Sequence, residues 1–221
     1  MFSGSIVALV TPFKDGKVDF DKLGELVEYH VKNGTDGLVP CGTTGESPTL
    51  SHDEHDKVIE EPIKASAGRL PVIAGTGSNS TAEALRLTRH AAEAGADAVL
   101  LVCPYYNKPT QEGLYQHFSK LAEIDVPQIL YNIPSRTGIN LSPDTMARLA
   151  EHKNIVGVKS AAGSTDQVQE ILQKTDLVVL SGDDSMTLPF MSVGAKGVIS
   201  VVANIVPNDV HEMVSSFLAG D

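Results

Sequence analysis

Eight near-continuous apolar runs, rich in β-branched residues, recur along the chain. They are SIVALVTP (5–12), GLVPCG (37–42), PVIAGTG (71–77), AVLLVCP (98–104), QILYNIP (128–134), IVGVKSA (155–161), LVVLSG (177–182) and GVISVV (197–202). They do not alternate apolar with polar, which predicts strands covered on both faces. Most end in Gly, Pro, Ser or Thr, where a loop should begin. The stretches between them carry helical spacing: Leu23, Leu26, Val27 and Val31; Val168, Ile171 and Leu172; Val210, Met213, Val214 and Phe217. Ser51 and Ser80 each stand three residues before a Glu, the pattern of a capping box. Ser142-Pro143 places an N-cap before a Pro at the first helical position, and Gly34 sits where a helix should stop. Strand–helix alternation repeated eight times without a linker predicts a (β/α)8 TIM barrel, one domain over residues 1–221. The strand count and unbroken alternation count against an open, doubly wound sheet.

Composition narrows the partners. A formal net charge of −11 argues against nucleic acid or an anionic membrane surface, because phosphates demand basic surface. The opening MFSGSIVALVTPF lacks a basic flank and a long apolar segment, so it reads as a first strand rather than a signal peptide. No apolar run approaches membrane-spanning length. A cytoplasmic protein is expected. Cys41 and Cys103 each follow an apolar run and read as buried free thiols.

In such a barrel the chemistry lies at the C-terminal ends of the strands. Those ends hold Gly42-Thr43-Thr44-Gly45-Glu46-Ser47, Pro104-Tyr105-Tyr106-Asn107, Tyr131 followed by Ser135-Arg136-Thr137-Gly138, Lys159, and Gly182-Asp183-Asp184. A lysine at an apolar barrel mouth has its pKa lowered by desolvation, and the neutral amine attacks a ketone to form a Schiff base, an electron sink for C–C bond chemistry. Tyr131, one strand away, can shuttle protons. Thr43 and Thr44 can bind a carboxylate, and Arg136 can hold a second one bidentately. This set reads as a Schiff-base aldolase acting on keto-acids. Plainer roles compete: Lys159 paired with Asp183 or Asp184, Tyr131 as a core residue, Arg136 in a surface ion pair, and the two aspartates organising loops. GTGSNS (75–80) does not complete a dinucleotide fingerprint and reads as a strand-to-helix loop.

GTTGES (42–47), YYNKP (105–109), YNIPSRTG (131–138), GVK (157–159) and SGDD (181–184), in this order, resemble the dihydrodipicolinate synthase family of pyruvate-dependent class I aldolases. The resemblance runs along essentially the whole chain. It implies condensation of pyruvate with aspartate semialdehyde to 4-hydroxy-tetrahydrodipicolinate, on the route to lysine. It implies no cofactor beyond the covalent imine of pyruvate with Lys159. Tyr131, Thr43 and Tyr106 would form the proton relay, with Tyr106 reaching the neighbouring subunit of a homodimer or homotetramer. Arg136 would hold the semialdehyde carboxylate, and the backbone around Thr44, Gly182 and Ile199 would support the site. A lysine feedback site would involve Ser47, Pro48, His52, His55, Asn79, Glu83 and Tyr105. Against that reading, Glu83 belongs to a capping box, His55 fits a helix surface, and His52 with His55 lacks a third metal ligand. The family continues past the barrel into a C-terminal helical region that this chain lacks. Ser160 replaces a family-typical acidic residue, and VAN (202–204) stands where TAN is common. Two other readings remain: a related lyase taking pyruvate with another aldehyde, and a non-catalytic barrel that binds a keto-acid or lysine.

Overall fold

The computed structural model describes residues 2–220. Each of the eight apolar runs forms a parallel strand: β1 (Gly4–Ala8), β2 (Gly37–Val39), β3 (Ile73–Gly75), β4 (Ala98–Val102), β5 (Gln128–Asn132), β6 (Ile155–Ser160), β7 (Val178–Ser181) and β8 (Gly197–Ser200). β1 pairs with both β2 and β8, so the first strand joins the last, and the sheet runs on in sequence order from β8 down to β3. The gap between β2 and β3 is bridged at Leu38 and Val72, which completes the barrel. Pairing stops earlier than the apolar runs do. Pro40 has no N–H to donate and Cys41 takes φ 55°, so the ends of the runs become loops of the C-terminal face. Gly75 permits the close approach there, since a Cβ would lie 2.2 Å from the Cys41 carbonyl oxygen.

Besides the four-residue helical turn Pro134–Thr137, eight α-helices among the described residues follow the strands: α1 (Phe20–Lys32), α2 (His52–Ser66), α3 (Thr81–Glu93), α4 (Gln111–Leu121), α5 (Pro143–Leu149), α6 (Thr165–Lys174), α7 (Thr187–Ser192) and α8 (Pro207–Ala219). The predicted caps of α1, α2 and α5 form: Gly34 at φ 75° follows α1, Ser51 and Glu54 exchange both capping-box bonds, and Ser142 accepts from Thr145 N–H. The box predicted at α3 forms by half. Ser80 accepts from Glu83 N–H, but the Glu83 carboxylate accepts from the Ser78 hydroxyl and meets His52 instead. A two-stranded hairpin at Phe13–Lys14 and Lys17–Val18 precedes α1, turning at Asp15 and Gly16, both at positive φ.

The strands are covered on both faces. Ile6, Val39, Ile73, Leu100, Ile129, Leu180 and Ile199 fill the interior, while Val7, Leu38, Val99, Leu101, Leu130, Val158 and Val198 pack outward against the helices. Across the central strands, Tyr131, Lys159 and Leu180 lie in one row and Asn132, Ser160 and Ser181 in the next. Successive side chains on a strand point to opposite faces, so the lysine and the serine after it face different surroundings.

Candidate active site

Lys159 is near the C-terminal end of β6 and is 5% exposed. Its Nζ lies 4.2 Å from the centre of the Tyr131 ring. Burial lowers its pKa from 10.5 to about 8, with the Asp184 charge opposing. The amine is therefore substantially neutral at mildly alkaline pH. An ion pair with Asp183 or Asp184 is not formed. The Asp183 carboxylate accepts from the N–H and hydroxyl of Ser185, and that of Asp184 from the Ser200 hydroxyl and the N–H groups of Val201 and Val202. Both aspartates organise loops, and Asp184 links two of them.

Lys159 opens into a cavity of about 290 Å³ lined also by Thr43, Thr44, Tyr131, Arg136, Gly182 and Val201, over an apolar floor of Ala8, Val39, Leu100 and Ile133. Burial raises the Tyr131 hydroxyl to about 12, with Arg136 opposing and Asp183 adding to the rise. That phenol keeps its proton at neutral pH and is a donor first. Arg136 stands in a single helical turn, Pro134–Thr137, capped by Gly138 at φ 73°. It is exposed, makes no ion pair among the described residues, and lines the cavity.

A neighbouring cavity of about 200 Å³ shares Gly42, Thr43, Leu100, Tyr131, Ile133 and Arg136 with the first and adds Ser47, Pro48 and Tyr105. Asn79 donates to the Tyr105 carbonyl, and His52 Nε2 lies 2.8 Å from Glu83. His55 corrects the expectation of a helix surface: it is 3% exposed, with neither ring nitrogen hydrogen-bonded, and burial lowers its pKa to about 4. His52 and His55, one exposed and one buried, do not face a common site.

Two expected residues lie outside the cavity. Ile199 is buried inside the barrel, in the layer with Tyr131 and Leu180. Tyr106 is 90% exposed at φ 73° and lines neither cavity of its own chain. Conversely, Val201 lines the Lys159 cavity and was not anticipated. It follows β8 directly, at a strand end where such a barrel places its chemistry. Cys41 and Cys103 are buried free thiols, as expected. No helix among the described residues is long and apolar enough to cross a membrane.

The 4-hydroxy-tetrahydrodipicolinate synthase of Syntrophus aciditrophicus is 60% identical to this chain over 224 residues, an alignment spanning the whole chain and 77% of that protein. The crystal structure of dihydrodipicolinate synthase from Aquifex aeolicus superposes with a TM-score of 0.98 at 57% identity, over all of this chain and 76% of the other. The chloride-inhibited dihydrodipicolinate synthase from Acinetobacter baumannii, crystallised with pyruvate, has a TM-score of 0.97 at 52% identity, over all of this chain and 77% of the other. The model of the dihydrodipicolinate synthetase family matches residues 1–221, and the chain belongs to that family.

Proposed function

We propose that this chain is a 4-hydroxy-tetrahydrodipicolinate synthase, a cytoplasmic lyase condensing pyruvate with aspartate semialdehyde, with Lys159 as its nucleophile. The observation that carries the reading is a buried lysine with a lowered pKa, in a cavity that also holds a protonated tyrosine and an unpaired arginine. The neutral Nζ adds to the C2 carbonyl of pyruvate, and loss of water leaves the imine. A methyl proton then departs to give the enamine, whose terminal carbon forms the new bond to the aldehyde carbon. The aldehyde oxygen takes up a proton and becomes the hydroxyl. The amino group of the former semialdehyde closes onto the imine carbon, and Lys159 leaves as the free amine. The protonated imine formed on Lys159 is the electron sink, so the reaction needs no further cofactor.

Tyr131 is the proton donor for loss of water and for the aldehyde oxygen, with Thr43 as its relay partner at the cavity mouth. Thr44 binds the pyruvate carboxylate, and Arg136 binds that of the semialdehyde. Tyr106 completes the relay of a second subunit, a role that fits its exposure and its absence from its own cavity. The cavity at Ser47, Pro48 and Tyr105, with His52, Asn79 and Glu83 beside it, receives free lysine as an inhibitor. Steady-state rates with and without lysine, in the native chain and in Glu83→Ala, test that assignment.

Incubation with pyruvate and borohydride, followed by peptide mass spectrometry, tests the nucleophile. A reduced pyruvate adduct on the peptide holding Lys159 is expected, and absence of added mass there would leave a binding barrel as the reading. Aldehyde profiling separates the synthase from a lyase for another aldehyde. Aspartate semialdehyde should be the preferred acceptor, and Arg136→Ala should raise its KM by roughly tenfold or more.

A further inference from the structure

We infer that Asp184 is a positioning residue for the Lys159 reaction, holding the turn after β8 so that Val201 closes one wall of the nucleophile's cavity. The inference rests on the proposed role of Lys159. Three donors from that turn converge on one carboxylate: the Ser200 hydroxyl, and the N–H groups of Val201 and Val202 at 3.1 and 3.2 Å. Ser200 Oγ in turn accepts from Ala203 N–H at 2.9 Å, so the short helical turn Val202–Asn204 is fastened to the same point. Asp184 comes from the loop after β7, the loop that begins with Gly182. One side chain therefore ties together the two loops that contribute Gly182 and Val201 to the cavity.

Val201 and Val202 are 48% and 43% exposed, and burial does little to hold them. Hydrogen bonds to a charged acceptor are the stronger kind and set this turn. The titratable and charged groups around Lys159 are few. Tyr131 faces it from β5, Arg136 stands on the turn after β5, and Asp183 and Asp184 belong to the loop after β7. Of these, the Asp184 carboxylate is the charge that acts on the amine, raising its pKa against burial. Asp184 thus has two separable effects, one on the shape of the wall and one on the protonation of the nucleophile.

Borohydride trapping of pyruvate on Lys159, measured as a rate from pH 6 to 10, separates them. Asp184→Asn retains most of the hydrogen bonds but removes the charge, so the midpoint of the trapping profile should move to lower pH. Ser200→Ala removes one link and keeps the charge, so trapping should slow by about tenfold with an unmoved midpoint. Asp184→Glu restores the charge and should bring the midpoint back toward the native value. Native protein that traps no pyruvate on Lys159 would remove the proposed nucleophile, whatever the variants do. Native protein that traps, with Ser200→Ala matching it in rate, would overturn the positioning role alone, and an unmoved midpoint in Asp184→Asn would overturn its effect on the protonation of the amine. Should Asp184→Asn fail to fold, Ser200→Ala decides by itself: a native trapping rate overturns the inference and a slowed one supports it.

Discussion

Replacing Gly182 by Ala tests whether the wall of the cavity fits the lysine stem. The added methyl would lie 3.0 Å from Lys159 Cε, from Lys159 Cγ and from Ala161 Cβ. Carbon pairs are comfortable at about 3.5–4.0 Å, so all three contacts are short by roughly half an ångström or more. The glycine is not at positive φ, and Ala therefore strains no backbone there. The lysine stem is the part that yields. Its Nζ is already against the Tyr131 ring, so turning the stem moves the amine off its line toward the substrate carbonyl. A misplacement of about 1 Å can cost on the order of a hundredfold in rate, and overpacking that is not relieved costs about 1–3 kcal/mol of stability. We expect trapping and kcat to fall roughly 10–100-fold, with Tm lowered by only a few degrees. Gly24→Ala is the matched control. Its methyl meets only Glu61 Oε1, at 3.7 Å, and a helical Ala should raise stability by about 0.5–1 kcal/mol without changing the rate. A Gly182→Ala protein that traps pyruvate at the native rate, with kcat within about twofold, would refute the steric reasoning.

The remaining predictions concern the two neighbouring residues of β6. In the native chain, trapping should rise with pH and reach half its maximum near pH 8, the pKa set by burial of Lys159; a rate independent of pH between 6 and 9 would contradict this. Lys159→Met should abolish the adduct and, at pH 7, stabilise the fold by up to ~3 kcal/mol, the cost of lowering the lysine pKa from 10.5 to about 8. Below pH 8 that cost is complete. Between 8 and 10.5 the unfolded chain binds more protons than the folded one, so native stability rises with pH. Denaturant melts at pH 7 and pH 10.5 should therefore find the advantage of the methionine variant shrinking at the higher pH. Ser160→Ala removes a buried hydroxyl that has no hydrogen-bond partner, and should leave stability equal or raise it by about 1 kcal/mol with kcat unchanged. A large loss of activity in Ser160→Ala would mean that the hydroxyl serves the reaction.

The barrel was legible because its strands are buried on both faces and therefore read as unbroken apolar runs, each followed by a helix with an identifiable start. What escaped reading was local. The two-residue strands at Phe13–Lys14 and Lys17–Val18 are too short to make a pattern. The half-formed capping box at Ser80 depended on competitors for Glu83, and Ser78 and His52 are brought to it by the fold rather than by spacing. His55 carried helical spacing compatible with either face of α2, and only packing against the barrel decides that it is buried. Ser160, which departs from the family pattern, sits in the row with Asn132 and Ser181. It does not line the cavity that holds Lys159.

The site itself was legible in its residue types and less so in its electrostatics. Lys159, Tyr131, Thr43, Thr44, Arg136 and Gly182 do meet in one cavity, because the ends of parallel strands in a closed barrel converge whatever their separation in sequence. Two aspartates after β7 suggested a partner for the lysine, yet donors from the β8 turn hold one of them and Ser185 holds the other. A lysine amine can be made neutral by a nearby cation or by removal from water. For Lys159 burial is the largest influence, and the one charge that acts on it, Asp184, works in the opposite direction. Reactivity then depends on how completely the walls exclude water. Gly182 and Val201 carry no ionisable group, and in the proposed mechanism they act only through the shape of that wall.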